Sequence, residues 1–330
     1  MKTRREFLKG CVTSTAAFAS GAAMLPRGLA AAEGPAGGAQ RRWKTAFGLN
    51  GFMSSESVFG GKYPIREVLA FAQKEDFDGI ELVEGWPKEF GRYPAPDDDR
   101  RIAEIRKFVE DFGVKVFSIQ TGSGGAFRKD PAARKKWVRQ FAGWARFARK
   151  AGCECIGTWP GGGLDGQTID QAIDALVGSL KEAAKIVTDE NLLLSVEIEP
   201  PFVFNKMDHL IRIIDGVGHP RVRGMYDPSH YDLMTGGRGK PEEALRKVGV
   251  GRLGYIHLTD TDGTIFRGTS KHLPCGDGHV DIPRSLEILW KGGFTGWIMI
   301  DPWMTKDPYD ACRKGRRAVV KAQREFSRQH

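Results

Sequence analysis

The sequence has little of several features that define simpler classes of protein. No apolar run predicts a membrane span with confidence, because the stretch from residue 11 to 25 is short and rich in Ala, Gly, Ser and Thr. Beyond residue 40 there is no short internal repeat and no long low-complexity segment. Only five cysteines occur, and none forms a CxxC pair. These absences leave a globular chain without a predicted disulfide framework.

The cysteines themselves favour free thiols. Four of them follow residue 32: Cys153, Cys155, Cys275 and Cys312. Cys153 and Cys155 lie two residues apart on a predicted strand, so their side chains share one face and are poor disulfide partners. We therefore predict unpaired and mostly buried thiols.

The chain does have enough apolar residues for a full core, since 41% of its 330 residues are hydrophobic. The formal net charge is +9. Residues 1–32 contain five basic side chains and one acidic side chain, which leaves +5 for the remainder. A mildly basic surface suits anionic or neutral small molecules and is weak evidence for nucleic acid. We expect a small-molecule partner and no nucleic acid.

The first 32 residues are interpreted as a targeting segment. Residues 3–9, with the sequence TRREFLK, resemble the twin-arginine export motif. The apolar stretch follows, and Ala30-Ala31-Ala32 then offers an A-x-A cleavage site. This resemblance implies recognition by the twin-arginine export machinery, a periplasmic or otherwise exported location, and no stable membrane anchor. Residues 33–42, rich in Gly, Pro and Ala, are interpreted as a linker.

From residue 43 onward, eight short β-rich runs alternate with amphipathic helical patterns. The predicted strands are 45–49, 78–83, 115–120, 153–159, 192–197, 222–227, 252–259 and 296–301. The predicted helices are 64–73, 98–112, 131–150, 168–188, 206–215, 241–248, 283–291 and 308–326.

Eight such units predict a single-domain α/β fold, a (β/α)₈ TIM barrel over residues 43–330. The competing fold, an open doubly wound sheet, would favour a Gly-rich phosphate turn after the first strand, where Asn50-Gly51-Phe52 stands instead.

Charged side chains fall at the ends of four consecutive predicted strands. Glu197 ends the fifth strand, Asp227 the sixth and Asp301 the eighth, and His257 lies on the seventh. In a (β/α)₈ barrel, function is concentrated where strands end. Inward-facing charges there are costly unless they are paired or bind a metal. The sequence thus predicts one divalent metal ion, with oxygen-rich ligation suited to Mn²⁺, Mg²⁺, Co²⁺ or Zn²⁺.

Three further motifs accompany these residues: Asp227-Pro228-Ser229-His230, His257 with Asp260 three residues later, and the loop 272–278. Together they resemble the xylose isomerase-like TIM barrels, which include sugar isomerases and epimerases, hydroxypyruvate isomerase, inosose dehydratase and apurinic endonuclease. The resemblance runs from about residue 45 to the C-terminus. It implies a Mn²⁺-type metal site and an enzyme of carbohydrate metabolism.

The resemblance also implies roles for individual residues. Glu197 would ligate the metal and act as acid and base, Asp227 and His257 would be ligands, and His230 would contact the substrate. The ligand on the eighth strand is usually glutamate in this family, so Asp301 is a departure. An aspartate reaches one methylene less far, which could shift the base, require a bridging water or change the reaction.

The function implied is isomerisation or epimerisation by proton transfer next to a carbonyl, through a metal-stabilised enediolate. Glu197 and Asp301 would exchange the proton, while His230 and Arg267 hold substrate oxygens. No phosphate cradle is evident, so we expect an unphosphorylated sugar or keto-sugar.

The alternative function is a metal-dependent lyase or dehydratase on a keto-sugar, inosose or 3-keto-glycoside. A non-catalytic carbohydrate-binding barrel and an apurinic endonuclease are less favoured. The endonuclease needs histidines at the ends of the second and third strands, and neither strand offers one.

Other side chains at the predicted mouth of the barrel are candidate substrate contacts. Aromatic rings just past strand ends can stack on a sugar: Trp86, Trp159 and Trp303. Glu199 shares a strand face with Glu197 and competes with it for the role of base. His279 lies in the long loop after the seventh strand, where lids and substrate walls are common. The sequence leaves the oligomeric state open.

Overall fold

The computed structural model describes residues 43–84, 87, 90 and 97–328. The predicted signal segment and linker, residues 1–32 and 33–42, lie outside this part of the chain and stay predictions, as does the exported location. Within the described ranges, no helix is both long and apolar enough to cross a membrane.

Eight parallel strands form a closed barrel, which confirms the predicted fold class. The strands in chain order are β1 (Lys44–Gly48), β2 (Gly79–Val83), β3 (Lys115–Gly122), β4 (Cys155–Trp159), β5 (Leu193–Val196), β6 (Val222–Tyr226), β7 (Leu253–Leu258), the short β8 (Ile265–Phe266) and β9 (Thr269–Ser270), and β10 (Trp297–Ile300). Around the barrel the order is β1-β10-β7-β6-β5-β4-β3-β2, whereas β8 and β9 pair with each other as a hairpin.

Helices follow the barrel strands and cover the outside of the sheet. In the described residues they are α1 (Leu49–Phe59), α2 (Ile65–Lys74), α3 (Asp99–Glu110), α4 (Pro131–Lys150), α5 (Ile169–Asp189), α6 (Met207–Val217), α7 (Pro228–Met234), α8 (Pro241–Val248), α9 (Ile282–Lys291) and α10 (Pro308–Ser327). Local signals set their starts. For example, Thr168 and Gln171 form a capping box at α5, and Pro131 follows the capping Asp130 at α4.

The predicted barrel strands and the eight predicted helices agree with the structure to within two residues at each end. Helices α1 and α7 and the β8–β9 hairpin were not predicted. All four described cysteines are free, as predicted, and only Cys275 is not fully buried.

A separate apolar cluster fills the inside of the barrel. Its members come from six of the barrel strands: Ala46, Phe117, Cys155, Met225, Tyr255, Trp297 and Met299. The rings of Phe117 and Trp297 stack with centroids 4.7 Å apart. The polar residues of the candidate site come from the carboxyl ends of the strands, beyond this cluster.

Candidate metal centre

The four predicted ligands meet at the carboxyl end of the barrel. One ligand atom from each of Glu197, Asp227, His257 and Asp301 lies within 4.8 Å of the other three. All four side chains are buried, with relative exposures of 1, 1, 1 and 4%. The fold therefore brings together from β5, β6, β7 and β10 the residues that strand-end positions predicted.

His257 lies between two of the carboxylates. Its Nδ1 atom is 2.9 Å from Glu197 Oε1 and 3.6 Å from Asp301 Oδ2. Burial by itself lowers the pKa of His257, but the negative charges of Glu197 and Glu81 more than offset this and raise the pKa well above its ordinary value. The imidazole is thus surrounded by acceptors, as expected for a group that shares its site with a cation.

Several buried polar atoms at the centre lack a hydrogen-bond partner. Asp227 Oδ2, His230 Nε2 and His272 Nε2 are all in this condition. Unsatisfied buried groups are rare because each costs free energy, so a cluster of them indicates a site for a ligand. Carboxylate oxygens and imidazole nitrogens are ligands that Mn²⁺, Co²⁺ and Zn²⁺ accept. The residues present therefore fit a divalent metal ion.

Asp227 is oriented by the helix that it caps. Its Oδ1 accepts hydrogen bonds from Ser229 N at 2.7 Å and from Ser229 Oγ at 2.6 Å, at the start of α7. Pro228 occupies the first turn, where no backbone donor is needed. One carboxylate oxygen is thus used by the helix, and Oδ2 is left for the site. Burial would raise the pKa of Asp227, but His230 and His272 hold it below its ordinary value.

Asp301 reaches the cluster although its side chain is one methylene shorter than that of a glutamate. Its Oδ1 accepts a hydrogen bond from Asn50 Nδ2 at 2.9 Å and another from Trp303 N at 3.1 Å. Its Oδ2 then lies 3.6 Å from His257 Nδ1 and 3.5 Å from His272 Nε2. Asn50, on the unpredicted helix α1, thus orients the residue that departs from the family pattern.

Replacing Asn50 by alanine should weaken metal binding about tenfold, because residues that orient metal ligands typically contribute that much or more. The affinity would be measured by titrating metal-free protein with Mn²⁺. Ser55→Ala is a suitable control, since Ser55 lies on the same helix and bonds to Tyr63 rather than to the site. Equal affinities for Asn50→Ala and the unaltered protein would show that Asp301 does not depend on this amide.

The structure adds three site residues that the sequence analysis did not assign. His272 Nε2 lies 3.4 Å from Asp227 Oδ2, and Asp227, His230 and His272 form a second group with metal-ligand spacing. His272 is the first residue of the loop motif 272–278, which was the available signal. The other two, Glu81 and Gln120, lie inside the barrel.

Glu81 and Gln120 contact two residues of the centre, His257 and Glu197, from inside the barrel. Gln120 Nε2 donates to Glu197 Oε2 at 2.8 Å. Glu81 Oε1 accepts from the Tyr255 hydroxyl at 2.7 Å, and Glu81 Oε2 lies 3.3 Å from His257 Nε2. A Cβ atom on Gly157 would lie 1.7 Å from Gln120 Oε1, so a glycine is required there for Gln120 to fit.

The predicted substrate contacts are placed in different surroundings. Glu199 is buried outside the four-ligand group and accepts a hydrogen bond from the Thr269 hydroxyl. His279 Nε2 is 2.8 Å from Asp232 Oδ2. Arg267 is exposed in the turn of the β8–β9 hairpin, with its guanidinium 5.6 Å from the Phe266 ring.

The three tryptophans predicted as sugar contacts also differ in their surroundings. Trp159 is buried and packs edge-on against Phe202, with centroids 4.9 Å apart. Trp303 is buried beside Asp301, to which its backbone amide donates. Trp86 lies outside the described residues. Their roles as sugar contacts stay predictions.

The chain is thus a TIM barrel with a buried cluster of carboxylates and histidines, a candidate metal site, at the carboxyl end of its strands. The family model described as xylose isomerase-like TIM barrel matches residues 69–330, and the chain belongs to this family.

Among curated proteins, a probable endonuclease 4 from Listeria monocytogenes serovar 1/2a is 24% identical over 169 residues, covering 44% of this chain and 56% of that protein. The chain thus spans just over half the length of the curated relatives it matches.

Solved structures match over most of the chain. The crystal structure of the IolI protein with a bound zinc atom has a TM-score of 0.69 and 14% identity, covering 86% of this chain and 99% of that one. The apo 3-keto-D-glucoside 4-epimerase from E. coli has a TM-score of 0.62 and 16% identity, covering 85% of this chain and 100% of that one. Sugar epimerases recur among the matches. At these identities the similarity shows the fold.

Proposed function

We propose that this protein is a divalent-metal-dependent sugar isomerase or epimerase that transfers a proton next to the carbonyl of an unphosphorylated sugar or keto-sugar. The observation that carries the proposal is the convergence of two buried carboxylates, Glu197 and Asp301, on His257. Their strands, β5 and β10, lie three positions apart in the ring of eight. The recurrence of sugar epimerases among the matched structures supports this class of reaction.

A bound divalent cation would supply positive charge that stabilises the negative charge developing on substrate oxygens. Glu197 is proposed to remove the proton from the carbon next to the carbonyl, and Asp301 to return one from the other side. Gln120 fixes Glu197 Oε2, which leaves Glu197 Oε1 directed at the cluster. Mn²⁺ is our first expectation, and the zinc atom in the matched IolI structure makes Zn²⁺ the main competitor.

The second candidate function is a lyase or dehydratase on a keto-sugar, inosose or 3-keto-glycoside. It uses the same first proton transfer and then expels water or an alcohol. Asp301 is the observation that favours it, because a carboxylate one methylene shorter than glutamate has less reach for the return of a proton. An endonuclease is not proposed, since β2 and β3 contact the centre through Glu81 and Gln120, and the sequence from Gly79 to Gly125 contains no histidine.

The test is a screen of unphosphorylated sugars and keto-sugars with Mn²⁺-loaded protein in D₂O. We expect deuterium at a carbon next to the carbonyl, and an epimer or isomer distinguishes the first candidate from the eliminated product of the second. Chelation should abolish the exchange. Adding metal to metal-free protein should raise its free energy of unfolding by about 2.7 kcal/mol when the free metal concentration is one hundred times Kd, and this should appear as a higher melting temperature. No exchange and no stabilisation with Mn²⁺, Mg²⁺, Co²⁺ or Zn²⁺ would refute the proposal.

A further inference from the structure

One serine contacts two of the histidines at the centre. Ser270, on β9, is 1% exposed. Its hydroxyl oxygen lies 2.7 Å from His230 Nδ1, and its backbone carbonyl oxygen lies 3.0 Å from His272 Nδ1. Both rings therefore use Nδ1 for Ser270 and direct Nε2 toward Asp227 Oδ2, at 3.7 Å from His230 and 3.4 Å from His272.

The hydrogen atoms along these contacts can be assigned by counting donors. An ionised carboxylate only accepts, so Ser229 Oγ must donate its single hydrogen to Asp227 Oδ1 at 2.6 Å. Ser229 Oγ then has to accept from Ser270 Oγ, which is 2.8 Å away. Having donated its own hydrogen, Ser270 Oγ can only accept from His230 Nδ1. This assignment places the hydrogen of the neutral His230 ring on Nδ1.

The hydrogen bond of His272 to a backbone carbonyl fixes a hydrogen on its Nδ1 atom. The carbonyl oxygen of Ser270 can only accept a hydrogen bond, so His272 Nδ1 must be the donor. When a ring is neutral, it then carries a lone pair on Nε2. These two Nε2 atoms and Asp227 Oδ2, together with His257 Nε2, are among the buried atoms that have no hydrogen-bond partner at the centre. With both rings neutral, the two Nε2 atoms and Asp227 Oδ2 are all acceptors.

We propose that Ser270 is a positioning residue that, with Ser229, keeps His230 in the form with hydrogen on Nδ1, so that its Nε2 accepts a hydrogen bond from a substrate hydroxyl. The proposal rests on the function proposed above, because a sugar is rich in hydroxyl donors. It specifies that the substrate presents a free hydroxyl to His230 and not a carbonyl or phosphate oxygen. Without the serine, the carboxylates of Glu197 and Asp227, at 3.6 and 3.7 Å, would attract the hydrogen to Nε2.

The direct test reads the position of the ring hydrogens by NMR in ¹⁵N-histidine-labelled, Zn²⁺-loaded protein. The pH has to be high enough that both rings are neutral: burial lowers the pKa of His230 and His272, but the charge of Asp227 more than offsets this and raises it. We expect hydrogen on Nδ1 of both His230 and His272. In Ser270→Ala, His230 should move its hydrogen to Nε2 while His272, bound to the backbone carbonyl, stays unchanged and reports an intact fold. Ser229→Ala should affect His230 in the same way, whereas Ser270→Thr, which keeps the hydroxyl, should not.

A functional measurement follows once a substrate is known. Ser270→Ala should raise KM about two- to tenfold, as expected for one hydrogen bond, with a smaller change in kcat. A His230 ring with hydrogen on Nε2 in the unaltered protein, or one that keeps it on Nδ1 in Ser270→Ala, would overturn the proposal. Failure of the proposed function would appear separately, as absence of solvent exchange in the unaltered protein.

Discussion

Glu197→Gln should lose solvent-deuterium exchange at the carbon next to the carbonyl by a factor of about 10²–10⁴, the contribution that a positioned general base makes. The amide has the shape of the carboxylate and can still accept from Gln120, but it does not take up a proton. Because Glu197 is also a proposed ligand, the rate would be measured at saturating metal, with the metal content of the variant determined alongside.

Glu199→Gln is the matched control for this experiment. Glu199 is equally buried, lies two residues from Glu197 and undergoes the same chemical change, but it accepts from Thr269 outside the ligand group. We expect Glu199→Gln to retain most of the exchange. Equal exchange in Glu197→Gln and the unaltered protein would remove Glu197 from the role of base, and the reverse pattern would transfer that role to Glu199.

Asp260→Ala should lower the free energy of unfolding by about 3–5 kcal/mol, because the carboxylate of Asp260 holds together the loop after β7. The carboxylate is fully buried and accepts four backbone hydrogen bonds, from Thr261, Gly276, Gly278 and Val280, at 2.8 to 3.0 Å. Removing it leaves four backbone donors without this acceptor, and those of Thr261 and Val280 are buried. The measurement is chemical denaturation of the metal-free proteins.

The same loop supplies the control for this second prediction. Asp262 is half-buried and forms an ion pair with Lys271, a type of contact that contributes little when solvent reaches it. Asp262→Ala should therefore change the free energy of unfolding by less than about 1 kcal/mol. If Asp260→Ala lowered the free energy of unfolding no more than Asp262→Ala does, Asp260 would not be the residue that organises the loop. A loss of metal affinity in Asp260→Ala is also expected, because the loop carries His272.

The main parts of the fold and of the ligand set could be predicted because both depend on local patterns. Alternating strands and amphipathic helices gave the barrel, and the barrel places every strand end at one mouth. Glu197, Asp227, His257 and Asp301 were identified by this position alone, and the structure brings them together. The prediction needed no knowledge of long-range contacts.

The site residues that were not predicted depend on contacts that form only when the barrel closes. Asn50 meets Asp301 because β1 pairs with β10, across 251 residues of sequence. Glu81 and Gln120 point inward from strands whose facing could be assigned only after closure. His272 enters the site because the β8–β9 hairpin folds back over Glu199 and His230, and two-residue strands are too short to produce a periodic pattern.

The hairpin has one further consequence, for local stability. Its inner strand, Thr269–Ser270, is buried against the centre, whereas Ile265 on its outer strand is 55% exposed. With only two short strands, it can open at a small fraction of the cost of global unfolding. Such an opening would release Glu199, His230 and His272 together. The side of the centre that we propose receives substrate is thus expected to open as a separate cooperative unit, while the proposed ligands on the barrel strands open only when the barrel does.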